Sequence, residues 1–320
     1  MSKGTEEENL SRPLKPFGKK GMDSYARIKR NRKLRTMLPV VALLLIGLCL
    51  IAYPMVGNWL YDQSSSQVVA SYDESASSMT NDEINRQFEL ANEYNESLRT
   101  ASVILTDPFD PTQTGESVEP YDSIMNMAGD GIIGHISIPK IDVNLPIYHG
   151  TSAETLEKGI GHMSNTSFPT GEKGTHAVLT GHTGMTHARM FTDVSQLEIG
   201  DVFYISVLDR TLAYKVNQID IVEPSDSSLL QIVDDKEYVT LLTCYPYGVN
   251  SHRLLVRGEG IPLEEAQEIN QDQVVSSVWD SQYYRAIILC LMVYVPLTIG
   301  AILFLRHKNK RRLHETDVTS

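Results

Sequence analysis

EYVTLLTCYPYGVNSHRLLVRGEG, residues 237–260, is the stretch that decides how this chain folds. Its first part is an apolar, β-branched run that ends on Cys244, and Tyr245-Pro-Tyr-Gly then forces a turn. A second apolar run opens at His252-Arg253. Two such runs across the PYGVNS loop read as a hairpin, which brings Cys244 and Arg253 together although nine positions separate them. A guanidinium beside a thiol favours thiolate and can steady a developing oxyanion. The plainer alternatives are a small core cysteine and a surface or ion-paired arginine.

Upstream, GIIGHISIPK, VNLPIYHG, HAVLTGH, DVFYISVL and RTLAYKVNQIDIVE repeat the pattern of short apolar runs bounded by turn residues. Short strands without long intervening helices predict an all-β barrel or sandwich with short helices. His182 closes HAVLTGH before a glycine-containing turn, at a strand mouth, where an acid/base group can serve a nucleophile. Before the strands, Ile84, Phe88, Ala91, Tyr94 and Leu98 recur at helical spacing and predict an amphipathic helix over 81–101. Residues 106–120 form a loop with three prolines, and Asp107-Pro108-Phe109 within it reads by itself as a turn. Ser64 to Ser78 reads as a serine-rich spacer, and Leu263 to Asn270 as a short acidic helix or linker.

The formal charge of −12 is unevenly distributed. Residues 1–60 carry 11 Lys/Arg against 4 Asp/Glu, residues 61–285 carry 12 against 34, and residues 306–320 carry 5 against 2. The acidic middle would repel a phosphate backbone, which argues against nucleic acid as a partner. Basic clusters abut two apolar runs, 37–60 and 286–305, each of about bilayer-spanning length and flanked by tyrosine or tryptophan. Positive flanks stay cytoplasmic, so both termini are expected inside and 61–285 outside. A cleaved signal peptide is the alternative for the first run, although its basic leader is long and no small-x-small site follows.

Of three cysteines, Cys49 and Cys290 fall in the apolar runs and Cys244 stands alone between them, which excludes a disulfide framework for the outer part. The spacings of His, Cys and acidic residues suit no metal site, and no Walker-type or dinucleotide-binding glycine loop occurs. No metal or cofactor is expected.

Three motifs together resemble the sortases of Gram-positive bacteria, most closely the class C, pilus-assembling members: Val178-Leu-Thr-Gly-His182, Thr240-Leu-Leu-Thr-Cys244, and the loop and strand from Tyr245 through Arg253 to Gly258. The resemblance covers about 131–260. It implies a closed, roughly eight-stranded sortase-type β-barrel flanked by two transmembrane helices. It implies Cys244 as nucleophile, His182 as general acid/base and Arg253 as the group that stabilises substrate and oxyanion. Asp107, Pro108 and Phe109 sit where class C members carry a lid, which implies Asp107 paired with Arg253 and Phe109 over Cys244. Tyr245 is a less usual follower of the cysteine.

The implied partners are pilin subunits with LPXTG-like sorting signals, an acceptor pilin lysine and the cell membrane. The organisation expected is a basic tail over 1–36, which its polar composition marks as disordered, and a signal-anchor span over 37–60. A juxtamembrane helical segment and lid loop follow over 61–130, then the barrel over 131–262 and a linker over 263–285. A second span over 286–305 and a basic tail over 306–320 complete it. Rival readings are a housekeeping sortase that uses a peptidoglycan amine, a non-catalytic membrane-tethered binding module, and, least of all, a papain-like protease.

Overall fold

In the computed structural model, residues 19–101, 105–110, 120–272 and 282–318 are described. Residues 1–18 of the expected basic tail, 111–119 of the proline-rich loop and 273–281 of the expected linker lie outside them, as do 319–320. The chain divides into two units, residues 1–50 with 292–320, and residues 51–291.

The elements run in chain order: α1 (Lys19–Ser77), α2 (Asn81–Thr100), β1 (Ile132–Ile138), β2 (Val143–His149), α3 (Ala153–Lys158), β3 (Ile160–His162), β4 (Thr175–Thr180), β5 (Val202–Val207), β6 (Arg210–Val222), β7 (Glu237–Tyr245), β8 (His252–Ile261), α4 (Leu263–Asp272) and α5 (Gln282–Val318). The eight strands close into a barrel in the order β1-β2-β3-β4-β7-β8-β6-β5, with β5 returning to β1. All neighbours are antiparallel except β2 with β3 and β4 with β7. Alternation along each strand sends one row inward: Leu179 and Leu241, Leu254 and Val256 join Ile133, Ile136, Phe203 and Tyr214 in the main core. The opposite row, Val178, Leu242 and Leu255, faces out of the barrel into a second apolar cluster.

Three expectations are corrected, for the serine-rich spacer, the disordered tail and the strand ending on His182. Ser64 to Ser78 is not a spacer: α1 is one helix of 59 residues from Lys19 to Ser77, so the chain from 19 to 36 is helical as well. Ser65, Val69, Tyr72 and Ala76, at i, i+4, i+7 and i+11, are buried and give this polar stretch one packed face. Tyr72 Oη donates to Ile133 O (2.8 Å) and accepts from Leu208 N–H (2.8 Å), which pins the helix to two strands' backbones. The strand read as ending on His182 ends at Thr180, and α3 and the three-residue β3 sit where no element was read.

Thr80 then starts α2 with a reciprocal cap: its hydroxyl accepts from Glu83 N–H (3.3 Å) and its N–H donates to Glu83 Oε2 (2.8 Å). The apolar stripe of α2 packs on the main core. Asn95 joins it to the β3–β4 connection like a strand partner, donating to Phe168 O (3.0 Å) and accepting from Phe168 N–H (2.8 Å).

Two helices carry stretches long and apolar enough to cross a bilayer, Val41–Ser77 in α1 and Tyr284–Phe304 in α5. In the smaller unit Tyr294 Oη donates to Leu44 O (2.6 Å).

Candidate active site

β7 and β8 pair in the register the hairpin demands, with Cys244 directly opposite Arg253. Both belong to the outward row that includes Leu242 and Leu255, and both are only 8% exposed. On the other side of β7, β4 pairs in parallel as far as Thr180 with Leu242. Two residues further along each strand, the chain carries His182 to the level of Cys244. Val178, Thr180 and His182 share the outward row, whereas Gly181 points inward. A side chain on Gly181 would meet Phe191 at 2.8 Å and Ile160 at 2.7 Å, so the close packing behind the histidine requires glycine.

The histidine loop is fastened to the cysteine strand by hydroxyls. Thr243 Oγ1 donates to Gly181 O (2.7 Å), so its contact with Thr183 Oγ1 (2.7 Å) is a bond donated by Thr183. His182 O accepts from Phe191 N–H (3.1 Å), and Gly184 N–H donates to Thr192 Oγ1 (3.1 Å). Thr243 and Thr183 therefore fix where His182 stands relative to Cys244. The sequence reading passed over both. Their signal was modest: a threonine beside each of Cys244 and His182.

Arg253 is clamped. Nε donates to Asp107 Oδ1 (2.8 Å) and Nη2 to Asp107 Oδ2 (2.6 Å), a bidentate pair, while Nη1 donates to Asn250 O (3.1 Å) and His252 O (2.9 Å). Asp107 sits in a turn with Pro108 at its second position. Asp110 N–H donates back to Asp107 O (3.2 Å) and Phe109 N–H to Asp107 Oδ1 (3.4 Å). The Phe109 ring lies 5.3 Å from the His182 ring and 5.2 Å from the Arg253 guanidinium carbon, and packs with Leu242, Leu255 and Met163. Beneath Asp107 and Pro108 there remains a cavity of only about 20 Å³, bounded by Leu242, Leu255 and Arg253. The structure thus brings all six expected site residues together.

This covering shapes the electrostatics. Burial raises the Cys244 thiol above its ordinary range; Arg253 pulls it down and Asp107 pushes it up again. Burial lowers the imidazole of His182, against a small opposing pull from Glu157. Burial also disfavours the charge on Arg253, but the bonds to Asp107 and the neighbouring thiol outweigh it and the guanidinium is held more firmly charged. Thiol and imidazole are accordingly biased toward their neutral forms, and four of the five guanidinium donor positions are engaged. Among the described residues no group of three or more His, Cys, Asp or Glu could hold a metal ion.

A buried thiol at a strand end, a histidine level with it and a charged donor opposite suit acyl transfer through a thioester. Comparison with known proteins agrees. A sortase domain model matches residues 136–261. Sortase D of Bacillus subtilis is 34% identical over 114 residues, which is 36% of this chain and 54% of that protein. The chain spans about half the length of such curated relatives. The solved sortase C-1 of Streptococcus pneumoniae is 41% identical, with 61% of this chain and 98% of that one covered and a TM-score of 0.58. A pilus-related sortase C of group B Streptococcus is 42% identical over 60% of this chain and 96% of that one, with a TM-score of 0.56. A sortase-domain match that contains the strands of Cys244 and Arg253, and 41% identity across nearly the whole of a solved sortase, show that this chain belongs to the sortase family, whose members are cysteine transpeptidases.

Proposed function

We propose that the protein is a membrane-anchored class C sortase that polymerises pilins, with Cys244 as nucleophile, His182 as general acid/base, Arg253 as oxyanion and substrate donor, and Asp107-Pro108-Phe109 as a lid. The observation that carries this reading is the bidentate clamp of Asp107 on Arg253 across from Cys244, with Phe109 on His182. The named pilus-related neighbour supports the class.

In this reading the lid leaves first, because a substrate carbonyl needs the guanidinium donors that Asp107 occupies. The Cys244 thiol then gives its proton to His182, the resulting thiolate attacks the Thr–Gly carbonyl of an LPXTG-like sorting signal, and Arg253 stabilises the tetrahedral oxyanion. Collapse breaks the C–N bond, with His182 giving its proton to the departing glycine amine and an acyl thioester remaining. A pilin lysine amine then attacks the thioester, His182 takes up its proton, and an isopeptide bond forms as Cys244 leaves. Anchoring by two spans with both termini inside would hold enzyme and substrates at one surface and raise their effective concentration. The bilayer portion of α1 lies before Asn58, because Asn58 Oδ1 already accepts from Arg189 N–H of the catalytic unit (2.9 Å).

Curated relatives include sortases A and D, so the test must separate acceptors. The full chain in membranes is supplied with purified pilin or with a lipid-II-type amine. Covalent pilin ladders on a denaturing gel, lost in Cys244→Ala, are expected. Transfer to the lipid-II-type amine alone would replace the pilus reading with a wall-anchoring one, and undiminished ladders from Cys244→Ala would remove the assignment.

A further inference from the structure

The outward face of β4 holds a polar group that the proposed mechanism does not use. Thr180 is completely buried, and among the described residues its Oγ1 has no hydrogen-bond partner. The hydroxyls around it are all engaged. Thr166 Oγ1 donates to Met163 O (2.7 Å) and accepts from Val178 N–H (3.2 Å), Thr240 Oγ1 bonds His176 Nε2 (2.8 Å), and Thr243 and Thr183 bond as described above. A fold that satisfies each of these has left Thr180 unsatisfied, at a cost that a threonine-to-valine exchange would remove.

Register explains why nothing inside the protein reaches it. Thr180 pairs with Gly161 on β3, which has no side chain, and with Leu242 on β7, which has no polar atom. It shares its face with Val178, which packs in the same apolar cluster as Phe109, and with His182, whose ring Phe109 contacts at a tilt. Along β4 it stands two residues from His182, and across β7 it stands beside the residue two before Cys244. Two residues of rise along the strand and one strand spacing across the sheet put it roughly 8 Å from Cys244, a little over two residues of an extended peptide.

We propose that the Thr180 hydroxyl is a positioning group for the acyl-donor peptide: it hydrogen-bonds the substrate backbone about two residues before the scissile carbonyl once the lid has left the groove. This rests on the sortase reading of the site. Val178, Leu242 and Leu255 give the groove an apolar floor without direction. One hydrogen bond beside them fixes the register of an extended peptide, and with it which carbonyl meets Cys244. A hydroxyl that gains its first partner on binding adds to affinity without giving up a bond already made.

The test uses the full chain in detergent micelles, with Asp107→Ala in all samples so that the lid does not gate entry. A fluorescence-quenched peptide containing Leu-Pro-Glu-Thr-Gly reports cleavage, iodoacetamide reports intrinsic thiol reactivity, and thermal melting reports stability. Thr180→Val is expected to lower kcat/KM about tenfold, the worth of one ordinary hydrogen bond, mainly through KM. Iodoacetamide rates should stay within twofold, and Tm should be unchanged or raised. Thr180→Ser should recover most of the loss and covers the case in which the valine variant folds poorly. Thr180→Val with kcat/KM within twofold of the parent and a raised Tm would show a merely unsatisfied hydroxyl and overturn the proposal, as would a serine variant as impaired as valine. A parent that does not cleave the peptide contradicts the sortase reading itself, a result distinct from either.

Discussion

Burial and the nearby Asp107 both push the Cys244 thiol toward its protonated form, and Arg253 pulls the other way. The same residue that occupies Arg253 also opposes the thiolate, so Asp107 acts on the site twice: it takes up the guanidinium donors and places a negative charge near the sulfur. Removing that charge favours thiolate, and a freed lid also restores solvent, which acts in the same direction. In Asp107→Ala the midpoint of the pH–rate profile for Cys244 alkylation should therefore move down, and the rate at neutral pH should rise several-fold. Superimposable profiles for variant and parent would show that Asp107 does not restrain the thiol. The hairpin alone implied that Cys244 meets Arg253, and the register shows it; that His182 and Asp107 join them was expected only from the family resemblance. Thr180, Thr183 and Thr243 were not legible, because a threonine in a β-run is ordinary and only the pairing across β4 and β7 shows which hydroxyl is engaged and which is free.

At the scale of elements, legibility followed the strength of the period. Long strands such as β6 and the continuously buried β7 were readable. β3, with three residues, is too short to show alternation, and α3, with six, is too short to show a helical stripe. The distal half of α1 failed for another reason: serines and glutamine fill its exposed faces, and its buried line of Ser65, Val69, Tyr72 and Ala76 begins on a polar residue, so composition concealed the period. The resemblance supplied the eighth strand that the run count lacked. α2 shows what holds the helical layer on the barrel. Asn95 satisfies both backbone groups of Phe168 in a site only 3% exposed. Asn95→Ala leaves an N–H and a C=O buried and unpaired, which should destabilise the catalytic unit by about 3 kcal/mol. For a unit of this size that lowers Tm by roughly 6–12 °C. A thermal melt within 2 °C of the parent would show that water replaces the side chain without loss.

The whole molecule combines a barrel that holds the buried His162 and His176 with two helices long and apolar enough to cross a bilayer, one before it and one after it in sequence. His162 and His176 are held neutral by burial, each lowered to about 4. Both have polar partners in that form: His176 donates to Gln231 O and accepts from Thr240 Oγ1, and His162 donates to Ser167 O while its Nδ1 faces the Tyr121 hydroxyl, which also bonds His162 O. Below the ordinary histidine range the unfolded chain binds protons that the folded chain refuses. Their contribution is thus intact above about pH 6.5 and is lost as pH falls toward 4. Urea melts should show the unfolding free energy falling across this window, by up to about 2.7 kcal/mol per pH unit for two such groups. A flat profile between pH 6.5 and 5 would contradict neutral burial.

The central claim, that Cys244 becomes acylated by a sorting signal when its cover is released, is tested most directly by intact-protein mass spectrometry. Full-length Asp107→Ala is mixed with a Leu-Pro-Glu-Thr-Gly peptide and quenched in acid. The expected result is a mass increase equal to the acyl fragment ending in threonine, mapped to Cys244, released by hydroxylamine and absent from Asp107→Ala/Cys244→Ala. Cleavage between threonine and glycine without any adduct, or an adduct that persists when Cys244 is alanine, would contradict it.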